Sequence, residues 1–247
     1  MKITAFNSSP WAHEGHTQII VDEFLLGAAN AGAKTKSVQL VEKQIKPCTR
    51  CGACFYKTPG RCSVRDDMAG LIDKFMASDI VVLATPVYID NVTSLMKLFI
   101  DRLTPVLEPH FEKDKNGEYR RRGRFEKYPK FVVISTCAMP EMSHFQVVQL
   151  FFERMARSIH TEVVGEIYRD SAALLLLCTE QLSFRPVVDE YRNLLRTAGT
   201  QLVQTGYIPN KISRQLYEPL IDAEEYIEYA NKIWDKILPK HKMKIIA

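Results

Sequence analysis

Along this 247-residue chain, short unbroken apolar runs alternate with stretches in which apolar residues return every three or four positions. Residues 2–6 open as a short strand, which Asn7-Ser8-Ser9-Pro10 ends. Over 17–30, Ile20, Val21, Phe24, Leu25 and Ala28 keep a period near 3.6, which predicts a helix. Residues 34–40 alternate weakly, as a second strand. Asp66 or Asp67 is placed to cap a helix reaching about residue 77, with Met68, Leu71, Ile72 and Phe75 on one face. Residues 79–84 form a continuous β-rich run, expected of a strand buried on both faces. Helices follow over 93–103, 143–158, 187–204 and 222–238, strands over 131–135 and 162–167, and a turn over 206–210. This alternation predicts an α/β protein with a parallel sheet covered on both faces.

No internal repeat or low-complexity tract divides the chain. The expectation is one domain over 1–247, embellished by a cysteine loop at 47–63, a basic insertion at 106–130 and a C-terminal helical extension at 180–247. The longest frankly apolar stretch, 172–178, is too short to cross a bilayer. Residues 1–7 lack the apolar core of a secretory signal. Six cysteines are too few for a disulfide-built scaffold, so a cytoplasmic location with reduced thiols is expected.

The net charge of +4 is unevenly placed. Residues 113–130 hold eight Lys/Arg and three Asp/Glu, a surplus of five that leaves the remainder near −1. Arg120, Arg121, Arg122 and Arg124 beside Tyr119 and Phe125 raise the possibility of nucleic-acid binding. One loop in a near-neutral chain, without a recognition motif, argues against it. A solvated hairpin, NAD(P)H phosphates, an acidic protein or a neighbouring subunit fit the segment better.

Parallel sheets bind ligands beyond the C-terminal ends of their strands. The first such end is NSSPWAHEGHT, residues 7–17, with the hydroxyls of Ser8, Ser9 and Thr17, a possible donor in His16 and a turn-forming Gly15. The same composition suits a plain helix cap. No dinucleotide fingerprint, P-loop or zinc-protease histidine pattern is present. Glu141 and His144 stand near the predicted ligand face and are explained as helix-start residues. Cys178 reads as core.

Residues 48–62, CTRCGACFYKTPGRC, hold Cys48, Cys51, Cys54 and Cys62 in a C-x2-C-x2-C-x7-C array. Fe–S cubanes take four thiolates, and closely spaced cysteine runs mark them. Zinc also takes four cysteines, usually as two arms. A thiol redox pair explains only two of them. Spacing alone leaves these readings open. Arg50, Lys57 and Arg61 mark the loop as exposed and would offset thiolate charge.

The segment NSSP…GHT resembles the phosphate loop of the flavodoxin-like NADPH-dependent FMN reductases, with Ser8 at the family's loop glycine and Trp11 at its arginine. Ser78-Asp79, Thr85-Pro86-Val87-Tyr88, Lys97 and Asp101-Arg102 resemble further motifs of that family. The cysteine array is similar to that of its iron–sulfur flavoprotein subgroup. The resemblance implies a five-stranded parallel sheet in the order 2-1-3-4-5. It implies FMN held by Ser9, Trp11, His16 and Thr17 at the phosphate, by Pro86, Val87, Tyr88, Ile89 and Asn91 beside the ring, and by Thr136 and Cys137 at the ring's other edge. It implies a [4Fe–4S] cluster on Cys48, Cys51, Cys54 and Cys62, close to the ring. Lys97 and Asp101-Arg102 are read as a helix-face ion-pair pattern.

The expected function is an FMN-dependent oxidoreductase relaying electrons between a one-electron carrier, ferredoxin-like, and a small-molecule acceptor. A homo-oligomer is implied, without nucleic-acid or membrane partners, and NAD(P)H is a possible donor. One alternative is an NAD(P)H-dependent FMN or quinone reductase without a cluster. The other is a non-catalytic flavin redox sensor.

Overall fold

The computed structural model describes residues 1–177 and 182–238. Cys178 and His241 lie outside the described residues. Five strands form one parallel sheet: β1 (Lys2–Asn7), β2 (Lys34–Gln39), β3 (Ile80–Pro86), β6 (Lys130–Thr136) and β7 (Val163–Arg169). Their order is β2-β1-β3-β6-β7. Counted among themselves, these strands follow 2-1-3-4-5; the chain numbering differs because the hairpin β4 (Leu107–Lys113) and β5 (Tyr119–Gly123) is inserted between β3 and β6.

The apolar runs in β1, β3 and β6 are explained by burial on two sides. Phe6, Val81, Leu83, Phe131 and Val133 face one core with α3 (Met68–Met76), α4 (Ser94–Asp101) and α5 (Gln146–Ser158). Ile3, Ala5, Val82, Ala84, Val132 and Ile134 face the other, with α1 (His16–Asn30) and α7 (Arg185–Thr205). Neighbouring residues point to opposite faces, so both faces demand apolar side chains.

Helix α7 lies tightly on α1 through a pair of glycines. A Cβ on Gly27 would stand 1.9 Å from the Arg196 carbonyl oxygen, and one on Gly199 would stand 2.0 Å from that of Phe24. Arg196 Nε–H donates to Glu23 across the same seam at 2.6 Å.

The basic insertion contains a β-hairpin, one of the readings its sequence offered, turned by Asp114, whose carboxylate accepts the N–H groups of Asn116 and Glu118, and by Gly117 at φ +80°. Two other segments differ from the sequence expectation. The turn at 206–210 leads into α8 (Asn210–Tyr217), too short and polar for its period to show, with Leu216 buried against the sheet. Within the cysteine loop, α2 (Ala53–Tyr56) makes a single turn. Helix α9 (Ala223–Ile237) is capped by Asp222, which accepts from Glu224 and Glu225 N–H. Among the described residues, no helix is long and apolar enough to cross a membrane.

Candidate functional site

The loop after β1 is built from its own polar groups. Ser8 turns inward: its N–H and hydroxyl donate to the Ala84 carbonyl, and its hydroxyl also meets Thr93 Oγ1 at 2.8 Å. Asn7 Oδ1 accepts Ser9 N–H at 2.9 Å, and Ser9 Oγ accepts Trp11 N–H at 3.3 Å. Gly15 closes the cradle, since a Cβ there would stand 2.7 Å from Ser9 Oγ. Thr17 lies in the first turn of α1, and its hydroxyl shares a 2.8 Å hydrogen bond with that of Thr136, joining the helix to the end of β6. Burial lowers the pKa of His16, favouring a neutral ring. Trp11 is 69% exposed at the rim. With no Lys or Arg in residues 7–17, an anion here would rely on the α1 N-terminus and hydroxyl groups.

After β3, Val87 N–H donates to the Thr136 carbonyl at 2.7 Å, which sets Pro86 and Val87 beside β6. Tyr88 and Asn91 then exchange backbone hydrogen bonds around Ile89 and Asp90, at φ +50° and +54°. A β-branched residue in the left-handed region is strained, at a cost of about 1–3 kcal/mol. Ile89 is nevertheless 98% exposed at the tip, so its own burial does not offset that strain. Asp90 is held by the His144 ring, joining this tip to the segment after β6. Cys137 is buried, its N–H donates to the Arg169 carbonyl at 2.9 Å, and burial pushes its thiol pKa up.

Thus Ser9, Trp11, His16 and Thr17, Pro86 to Asn91, and Thr136 with Cys137 occupy three loops at one end of the sheet. Two residues at this end of the sheet, one in the C-terminal extension and one in the last strand, escaped the sequence reading. Tyr226 in α9 donates to the Ala138 carbonyl at 2.7 Å. Arg169, at the end of β7, is fully buried; it pairs with Asp170 at 2.8 Å, donates to the Glu218 carbonyl and lies over the Tyr191 ring. Neither had a local motif to betray it.

The four clustered cysteines share a second site. Cys48, Cys51, Cys54 and Cys62 line one cavity of about 240 Å³, with Arg102 and Arg121 in its wall. Arg50 and Gly52, at φ +52° and +70°, supply the tight turns between successive cysteines. None of the four is paired in a disulfide. The Ser63 hydroxyl, 3.5 Å away, is the main cause that lowers the Cys51 pKa. Burial, then the charge of Cys62, raises that of Cys54. The sulfurs thus feel one another, and holding several thiolates together favours a cationic centre. Among the described residues, no three His, Cys, Asp or Glu side chains converge closely enough for a single metal ion.

The basic hairpin closes over this cavity. Arg124 donates to the carbonyls of Pro105 and Leu107, and Arg120 donates to Glu112 and the Arg157 carbonyl. Three of the four clustered arginines therefore serve the fold, Arg121 through ring contacts, while Arg122 is exposed. Lys97 and Asp101 form the expected exposed i,i+4 pair at 2.5 Å, but Arg102 does not belong to that surface pattern. The two sites stand at opposite ends of α4: Thr93, its N-cap, touches Ser8, and Arg102, its C-cap, faces the cysteines. Eight helical residues separate them by on the order of 12 Å.

Residues 1–122 match the family described as NADPH-dependent FMN reductase. An iron–sulfur flavoprotein of Methanocaldococcus jannaschii is 33% identical over 106 residues, 43% of this chain and 53% of the relative. One from Archaeoglobus fulgidus is 41% identical over 105 residues, 42% of this chain and 46% of the relative. The chain thus spans about half the length of the curated relatives it matches. Among solved structures, an FMN-dependent NADH-azoreductase of Bacillus anthracis in complex with FMN superposes with a TM-score of 0.57 at 14% identity, over 82% of this chain and 100% of that one. At that identity the likeness concerns the fold.

Proposed function

We propose that this chain, which belongs to the NADPH-dependent FMN reductase family through residues 1–122, is an FMN-dependent oxidoreductase of the iron–sulfur flavoprotein kind. The carrying observation is the cavity that all four clustered cysteines line. The FMN phosphate is assigned to the cradle of Ser9, Gly15, Thr17 and the start of α1, supported by the close Ser9–Gly15 approach. Ser9 and Thr17 hold it through hydroxyl groups, and the neutral His16 adds a donor without charge. The loop of Pro86, Val87, Tyr88, Ile89 and Asn91 forms one wall for the ring. Thr136 and Cys137 stand at its other edge, with Trp11 on the rim.

The cysteine cavity is assigned to a [4Fe–4S] cluster, because its lining supplies four soft thiolates around one space and because the curated relatives are iron–sulfur flavoproteins. When bound, FMN handles electrons singly or in pairs and the cluster singly, which suits exchange between a one-electron carrier and a two-electron acceptor. The exposed Arg50, Lys57 and Arg61 beside the cysteines favour an acidic carrier as donor. The acceptor is a small molecule reaching the ring beside Tyr88 and Ile89.

Protein purified without oxygen tests this reading. One FMN with about four iron and four acid-labile sulfide per chain is expected. One zinc without sulfide would leave a flavoenzyme and remove the cluster.

A further inference from the structure

Arg102 follows the last residue of α4, yet its side chain is 1% exposed. Its Nη1–H groups donate to the Lys46 carbonyl at 2.6 Å and to Asp66 Oδ2 at 2.7 Å, and Nη2–H donates to Asp66 Oδ1 at 3.0 Å. The Asp66 carboxylate also accepts Lys46 N–H at 2.9 Å and Met68 N–H at 3.1 Å. Lys46 stands two residues before Cys48, and Asp66 four residues after Cys62. The buried pair therefore joins both roots of the cysteine loop to the end of α4, closing the loop with protein groups alone.

Loop closure does not account for the whole guanidinium. A desolvated ion pair is a poor source of stability in itself, since an apolar replacement often does as well. Arg102 also keeps a donor in reserve: its buried Nε–H has no hydrogen-bond partner. Guanidinium presents five N–H donors in one rigid plane, and a buried donor without an acceptor is uncommon. The residue forms part of the wall that Cys48, Cys51, Cys54 and Cys62 line, and Cys62 acts on its charge alongside Asp66. Arg50, Lys57 and Arg61 are exposed, so water and salt screen them. Arg102 is fixed and dry.

We propose that Arg102 is a positioning residue for the cysteine site, which holds Cys62 in place and donates its free N–H to the sulfurs of the bound cluster, raising the cluster's reduction potential. This rests on the cluster assignment made above. The physical basis is that cluster potentials follow net charge, hydrogen bonds to sulfur and exposure. A fixed cation within the wall favours the reduced form, which carries one more negative charge.

The test compares anaerobically purified wild type with Arg102→Lys, Arg102→Gln and the double variant Asp66→Asn/Arg102→Gln. Iron and sulfide per chain, the thermal midpoint of the apoprotein and the one-electron potential of the cluster are measured. At the wild-type midpoint potential, Arg102→Gln is expected to lower the reduced-to-oxidised ratio about tenfold, equivalent to ~59 mV. Arg102→Lys, which keeps the charge and loses the fork, should recover part of that shift. Should Arg102→Gln fail to fold around an unpaired Asp66, the double variant leaves no buried carboxylate and, with the net charge of the wall unchanged, reads the loss of the N–H donor alone. A folded variant that no longer retains sulfide also supports the inference. Variants with full cluster content and a ratio within threefold of wild type would overturn it while leaving the cluster reading intact. Wild type without sulfide would overturn both.

Discussion

The Arg121 guanidinium lies 4.6 Å from the Phe55 ring centroid and 5.0 Å from that of Phe111, joining the hairpin to the helical turn that carries Cys54. Each cation–π contact is worth about 0.5–2 kcal/mol. Arg121→Ala is therefore expected to let the cysteine loop open more often, by roughly 2- to 30-fold. Alkylation of the apoprotein thiols by a maleimide measures this, with the global unfolding midpoint nearly constant. An unchanged alkylation rate would show that the hairpin does not restrain the loop.

Arg122 offers the complementary experiment, because it is exposed on the same hairpin. Arg122→Glu is expected to slow reduction by an acidic carrier protein at low salt, with the difference fading as salt rises. Stopped-flow traces at two ionic strengths check it. Substituting Arg121 and Arg122 together would mix steering with loop opening, which is why the two are separated.

The Thr17–Thr136 pair supports a prediction about flavin. In a hydroxyl pair one O–H donates to the other oxygen, leaving the second O–H free to reach a ligand. A hydrogen bond to a charged group is worth about 1.5–3 kcal/mol. Thr17→Val should therefore weaken FMN binding roughly 10- to 150-fold. Quenching of flavin fluorescence measures the dissociation constant. A constant within twofold of wild type would remove Thr17 from the phosphate site.

Much of the architecture was legible because burial on two faces leaves a long mark. The unbroken run at residues 80–84 and the periodic stretch of α1 both show it. The cysteine array was legible because its chemistry is local. Arg102 was not, since i,i+4 spacing draws attention to Lys97 and Asp101, while the partners of Arg102 lie 36 and 56 residues away. The hairpin arginines misled for a related reason. A run of like charges looks solvated until tertiary acceptors such as the Pro105 and Leu107 carbonyls are seen. Residues that act across the chain leave little pattern along it.

Gly27 and Gly199 carry a prediction about stability. Gly→Ala within a helix ordinarily stabilises by about 0.5–1 kcal/mol. Here the added methyl would meet backbone of the facing helix at 1.9 and 2.0 Å, so α1 and α7 must separate. Overpacking of this kind costs about 1–3 kcal/mol, a loss of roughly 2–12 °C in midpoint for a chain of this size. Calorimetry of Gly199→Ala gives the sign directly. A higher midpoint would mean that the seam yields freely.

The Asp90–His144 contact makes the strained tip after β3 depend on pH. Hydrogen bonding to Asp90, against a smaller effect of burial, raises the His144 pKa. A raised folded-state value means that the stabilisation is complete below the unfolded value, about 6.5, and is lost as pH climbs through the folded one. The tip of Ile89 and Asp90, with its unfavourable backbone angles, is then least restrained in alkaline solution. Protection of the Tyr88 and Asn91 amides against hydrogen exchange, corrected for the intrinsic rate, should fall over that interval. Asp90→Asn should move the fall to lower pH by removing the carboxylate that holds the ring charged. A profile that stays flat in wild type, or is unmoved in the variant, would place the restraint on the tip elsewhere.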